Sequence, residues 1–111
     1  MNKVALPIEN GRLCSLFEES SQFRVFTIKE RKITDENVLM IPHHQSGLFP
    51  FWLFNNGVTD VIVNRIGHEV INKFNRFKIN VFVGVKSKNP EVLIEEFLGG
   101  TLETNGYIVD K

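Results

Sequence analysis

Cys14, His43, His44, Arg65 and His68 are the side chains whose types suit chemistry at a shared site. A thiolate and imidazoles are soft and borderline ligands for a transition metal or an iron–sulfur species. Cys14, His43 and His44 form the candidate metal set. Arg65 and His68 flank the start of an expected helix. There, exposed backbone N–H groups and a guanidinium together suit a carboxylate or phosphate. Each residue also has a plainer role open to it. A lone cysteine often packs as a small hydrophobe. The His43-His44 pair after Pro42 can be a solvated loop, His68 can cap a turn, and Arg65 can pair with Glu69 on the surface. No CxxC pair and no HExxH pattern is present, so spacing alone does not choose between these roles.

Catalytic patterns are missing. Glu18 with Glu19, and Asp35 with Glu36, are adjacent acids whose side chains diverge, whereas an acid–base pair needs convergent carboxylates. Ser46-Gly47 is not a nucleophile elbow, and no phosphate-cradling G-x-x-x-x-G-K-[ST] loop occurs. Metal-dependent nuclease chemistry needs acidic ligands on adjoining strands. The first expected strand, Lys3 to Ile8, holds none. A non-catalytic protein is expected.

The elements that would position these side chains follow from periodicity. Val4, Leu6 and Ile8 alternate against Ala5 and Pro7, as in a strand, with Pro7 expected to end regular pairing. Glu9-Asn10-Gly11-Arg12 is turn chemistry, and residues 13–22 read as irregular. Phe23 to Ile28 and Ile33 to Ile41 read as strands joined by the polar turn Lys29–Lys32, too short for anything but an antiparallel pair. A helix is expected from Ser46 or Gly47, with Pro50 in its first turn, to about Asn56, stopping at Gly57. Asp60–Val63 is a β-branched strand that opens through Asn64-Arg65-Ile66-Gly67 into a helix reaching Phe77. Val70, Ile71, Phe74 and Phe77 fall on one face of that helix. Ile79–Val85 is the last core strand. Asn89-Pro90 caps a closing helix that runs to Leu98 and ends at Gly99-Gly100. The final eleven residues read as extended or frayed.

This order predicts an α/β fold: three α/β/α layers around a five-stranded mixed sheet whose second strand is antiparallel. Right-handed crossovers leave few other wirings. The carboxyl ends of the parallel strands then share one edge, where ligands bind in open α/β sheets. Residues 8–22, 42–46, 64–68 and 84–90 would meet there, carrying Cys14, His43, His44, Arg65 and His68.

The chain has 111 residues, which fits a single domain over 1–111 able to bury about two-thirds of its unfolded surface. Thirteen basic residues balance thirteen acidic ones, which argues against nucleic acid as partner. No apolar run is long enough to cross a bilayer, and the short N-terminal apolar run lacks the core of a signal peptide. One cysteine makes no internal disulfide and fits a reducing, cytoplasmic setting. Ten phenylalanines against one Tyr and one Trp imply an aromatic core, or rings left for a partner. Leu48–Phe54 is apolar nearly all round, so a homodimer through that helix is expected.

The segments Val4–Ser15, Pro42-His43-His44 ahead of Leu48–Leu53, Asn56–Val63, Phe74–Val83 and Glu91–Leu102 resemble, in order and spacing, the dinitrogenase iron–molybdenum cofactor biosynthesis family (NifX, NifB C-terminal and NafY type). The resemblance implies a ribonuclease-H-like α/β/α fold. It also implies non-catalytic binding or carriage of an iron–sulfur or iron–molybdenum-type cluster, so the partners would be a metallocluster and its donor or acceptor protein. The alternative is a protein-interaction or regulatory module that kept the fold without a ligand. Cys14, His43 and His44 stand at matching places. Members of the family often carry His-Phe-Gly where this chain has Leu16-Phe17-Glu18, and a glycine-rich turn where it has Asn64-Arg65-Ile66-Gly67.

Overall fold

A computed structural model describes residues 1–40, 48–104 and 108–109. The strands are β1 (Asn2–Glu9), β2 (Arg12–Leu13), β3 (Gln22–Lys29), β4 (Lys32–Met40), β5 (Asp60–Ile62), β6 (Ile66–Gly67), β7 (Asn80–Phe82) and β8 (Ile108–Val109). The helices are α1 (Phe49–Asn55), α2 (His68–Arg76) and α3 (Pro90–Gly99), and Phe17–Glu19 makes one 3-10 turn. The main sheet runs β4-β3-β1-β5-β7, with β2 attached to β1. β3 is antiparallel to both its neighbours, and β1, β5 and β7 are mutually parallel. The expected directions therefore hold.

Several expectations need correction. The sheet has six strands, not five. β5 pairs only with Val4 and Ala5 of β1, which leaves the C-terminal part of β1 open on that flank, and β2 fills it through Ile8↔Leu13 and Glu9↔Arg12. Asn10 and Gly11, both at positive φ (54° and 75°), make the two-residue turn between them. Pro7 does not end the pairing: β1 continues to Glu9, with Pro7 in register with Phe23. The Pro7 carbonyl accepts from Cys14 N–H, so its missing N–H lies on the β2 flank, away from the β3 ladder. β7 stops at Phe82, because Gly84 turns the chain at φ +77°. β5 stops at Ile62, although Val63 N–H still donates to Phe82 O at 2.9 Å. Of the final eleven residues, expected to be extended or frayed, Ile108–Val109 are extended and pair in parallel with Ile66–Gly67 as a separate two-stranded sheet. The expected start of the first helix and the end of the strand at Ile41 lie outside the described residues.

Alternation along the central strands divides the core. Ala5, Phe23 and Val25 face Phe49, Leu53, Val70 and Phe74 of α1 and α2. Val4, Leu6, Ile8, Phe26 and Ile28 face Leu93 and Ile94 of α3. The sheet is thus covered on both faces. Arg24 ties the layers at the edge: its guanidinium bonds Glu36 of β4 and, at 2.7 Å, Glu91 of α3. At the amino end of β5, buried Asp60 accepts from Asn2 Nδ2 (3.0 Å), Asn80 Nδ2 (3.0 Å) and Thr59 Oγ1 (2.6 Å), joining β1, β5 and β7 through one carboxylate.

The abundance of phenylalanine finds its reason on the α1/α2 face. Phe17, from the 3-10 turn, is fully buried and touches three rings: Phe23 at 5.5 Å, Phe49 at 5.6 Å and Phe74 at 5.5 Å between centroids. Phe23 and Phe49 meet edge-on at 5.8 Å. Tilted and edge-to-face pairs place ring hydrogens against π faces, adding to the area term. One ring from a loop is therefore gripped by β3, α1 and α2. Removing it leaves a cavity walled by three rigid elements, which cannot collapse to fill it. Phe17→Ala should cost about 3–5 kcal/mol, measured by urea denaturation, with Phe17→Leu costing clearly less.

Candidate functional site

The carboxyl ends of β1, β5 and β7 lie on one edge of the sheet, and the loops 10–21, 63–67 and 83–89 leave from there. They are stitched together by backbone bonds. Leu13 N–H donates to Lys88 O (2.9 Å), and the Ser87 hydroxyl donates to Leu13 O (2.7 Å). Phe17 N–H donates to Arg65 O (2.9 Å), and Leu16 and Arg65 form a parallel bridge. Gly84 N–H donates to Asn64 O (2.9 Å), while Asn64 Nδ2 donates to Val85 O (2.7 Å). The three loops form one bonded rim, with the Phe17 ring anchoring it to the core below.

Cys14 lies inside this rim, 2% exposed. Its Sγ sits 3.2 Å from Leu16 O, as a thiol donating to a carbonyl, and 3.9 Å from Glu9 Oε1. Burial pushes the thiol pKa above its ordinary 9.0, and the Glu9 and Glu19 carboxylates push the same way. Cys14 is held neutral at physiological pH. Glu9 itself closes β1, so the first strand does carry one acid, at its carboxyl end.

Arg65 and His68 face outward. Arg65 joins the rim through its backbone carbonyl, and His68 is the first residue of α2. The structure thus places the loops of Cys14 and Arg65 against each other, with the thiol within and the guanidinium and imidazole at the surface. His43 and His44 lie outside the described residues. Among the described residues, no group of three or more His, Cys, Asp or Glu side chains is set to hold a metal ion.

Glu18 is the rim residue whose place the sequence hid. Its Oε2 accepts from Gly67 N–H at 2.8 Å, at the N-cap of α2, and its Oε1 has no hydrogen-bond partner among the described residues. A carboxylate there meets the positive end of the helix dipole. A Cβ on Gly67 would lie 2.5 Å from that oxygen, so glycine is what lets Glu18 in. No signal in the sequence marks this contact, because it joins residues 49 positions apart.

A family profile described as dinitrogenase iron-molybdenum cofactor matches residues 1–100. The chain belongs to this family. A relative within reach is the uncharacterized protein MJ0580 of Methanocaldococcus jannaschii, 32% identical over 91% of this chain and 89% of that protein. The solved structure of PH0822 matches 94% of this chain and 95% of its own, with 26% identity and a TM-score of 0.88. The apo form of the orange protein from Desulfovibrio gigas shares the fold at 14% identity, with a TM-score of 0.78 over 96% of this chain and 95% of its own.

Within this cofactor family, the Leu16-Phe17-Glu18 segment gains a structural meaning. Phe17 is the core anchor, Leu16 supplies the carbonyl that holds the Cys14 thiol, and Glu18 fills the space at Gly67. Removing the Glu18 carboxylate leaves Gly67 N–H without its charged acceptor. Glu18→Ala should lower stability by about 1–2 kcal/mol, with faster amide exchange at Gly67 as the local readout. Cys14 gives a pH prediction. A thiol whose folded pKa is raised contributes stability that is present below the unfolded pKa and is lost as pH rises toward the folded one. Stability should therefore fall as pH climbs above 9.0, the ordinary value, and Cys14→Ala should remove that part of the fall in denaturation curves taken across the alkaline range.

Proposed function

We propose that this protein binds or carries an iron–sulfur or iron–molybdenum-type cluster as a non-catalytic accessory, with the bonded rim as its landing place. The observation that supports the reading is the match to the cofactor family across residues 1–100, which spans β1 through α3 and all three rim loops. Cys14, His43 and His44 are the proposed ligands, with Arg65 and His68 as outer contacts to the cargo. We also read the order β4-β3-β1-β5-β7, with β3 alone reversed, as the ribonuclease-H-like motif. The partners in this reading are a cluster donor and acceptor in the cytoplasm. No described helix is long and apolar enough to cross a membrane.

Cys14 sets the terms of loading. The thiolate is the ligand form, so taking up metal means breaking the Sγ–H contact to Leu16 O and releasing a proton. Burial and two nearby carboxylates oppose that in the empty protein, whereas a bound cation would favour it. Uptake should rise with pH. Reconstitution with ferrous iron and sulfide under anaerobic conditions should give stoichiometric iron and visible charge-transfer bands. Both should be lost in Cys14→Ala and in the His43→Ala/His44→Ala pair. Unchanged uptake in these variants would remove the three residues from the site, and no uptake by the native chain would remove the carrier reading.

A second reading has its own support. Glu18 already occupies Gly67 N–H, and Cys14 is held neutral within the rim. Both favour a module that kept the fold for protein interaction or regulation without a ligand.

A further inference from the structure

The amino edge of the sheet, opposite the rim, has a pocket of its own between the β3–β4 turn and the last turn of α3. Its volume is about 250 Å³. Ile28, Phe97 and Leu98 give it an apolar side, and Asn2, Glu30 and Arg31 a polar one, beside the exposed Met1. The apolar side is built into the core: Ile28 is buried against α3, Phe97 and Leu98 pack on the same cluster, and Phe97 meets Phe82 edge-on at 5.4 Å. Asn2 is pinned by its Nδ2 bond to Asp60. Pockets for drug-sized ligands span roughly 300–1,000 Å³, so this one suits a molecule about the size of an amino acid.

The polar side is unusual in its backbone. Glu30 and Arg31 are the two residues of the turn that joins Lys29 to Lys32, and both have positive φ, 52° and 64°. Asn-Gly suits such a turn best, because most side chains crowd the backbone in this conformation. The chain uses that pair at its other two-residue turn, Asn10-Gly11. At 30–31 it keeps two long charged residues against the local preference. Backbone strain of this kind gathers where side chains must be presented for function. Neither side chain makes a hydrogen bond or ion pair among the described residues, not even with the other. Lone surface charges are ordinary, but these two are opposite in sign and line one pocket, whereas Lys29 and Lys32 do not line it. The lining side chains therefore offer one carboxylate, one guanidinium and an apolar wall.

We propose that this pocket binds a small zwitterion, an α-amino acid with an aliphatic side chain. Glu30 takes its ammonium, the fork of Arg31 takes its carboxylate, and Ile28, Phe97 and Leu98 take its side chain. The inference is independent of the cluster reading, since none of these residues belongs to the rim.

The test titrates the isotope-labelled full chain with L-leucine. Amide shifts are expected at residues 28–31 and 97–98, with Gly67 at the rim unmoved. N-acetyl-L-leucine lacks the ammonium, L-leucinamide lacks the carboxylate and free glycine lacks the apolar side chain. Each should bind about tenfold or more weakly. Glu30→Gln and Arg31→Gln should each weaken leucine binding by a similar factor. The double variant Glu30→Asn/Arg31→Gly installs the preferred turn, so it should raise the urea midpoint while abolishing binding, which separates lost binding from lost folding. The proposal is overturned if leucine causes no shifts, or shifts elsewhere. It is also overturned if the acetylated, amidated or side-chain-free probe binds as well as leucine, or if the double variant still binds.

Discussion

The ring of Phe17 is the constraint on which the rest depends. It belongs to the loop after β2, yet it sits fully buried among Phe23, Phe49 and Phe74. A loop is ordinarily the least determined part of a fold, because its backbone lacks a ladder to pair with. Here a large apolar side chain supplies what the backbone cannot. Burial of the ring fixes where its neighbours must go: Leu16 against Arg65, Glu18 at Gly67, and the Leu16 carbonyl over the Cys14 thiol. Core packing and rim geometry are therefore one problem.

The electrostatics of the rim follow from that arrangement. The loop brings Glu18 to the start of α2 and leaves Glu9 and Glu19 near the thiol. In the proposed carrier role, a thiol that these carboxylates keep neutral would become a better ligand when a cation arrives, since the same carboxylates would then attract instead of oppose. Membership of a cofactor family and a held thiol are compatible within one structure for this reason. The α1/α2 surface has a different character. Phe49, Pro50 and Leu53 cover the sheet from α1, which leaves Phe51 and Phe54 on its outer side.

Much of the fold could be read directly from residue patterns. Val4, Leu6 and Ile8 alternate against Ala5, and the two sets do face opposite cores. Val70 and Phe74 do point inward from α2. Asn89 does cap α3 by accepting from Val92 N–H at 2.9 Å, and Gly57 and Gly100 do take the left-handed conformation after their helices. These features depend on neighbours within a few positions, where periodicity and backbone sterics act directly. The extra strand β2, the pairing of β8 with β6 and the survival of β1 past Pro7 were not readable in that way. The short β5 leaves a flank of β1 open, which β2 fills and toward which Pro7 turns its missing N–H, while β8 meets β6 across 42 positions of sequence.

The amino-acid order by itself determined the α/β class, the strand directions, the two-faced core and the edge at which the rim forms. Tertiary structure alone decided that Cys14 is enclosed and neutral, that Arg65 and His68 look outward, and that Glu18 closes on Gly67. The physical reason is range. Side-chain period and turn sterics are written into adjacent residues. Burial of a thiol, and capture of a helix N-terminus by a carboxylate 49 positions away, exist only after the aromatic core has drawn separate loops together.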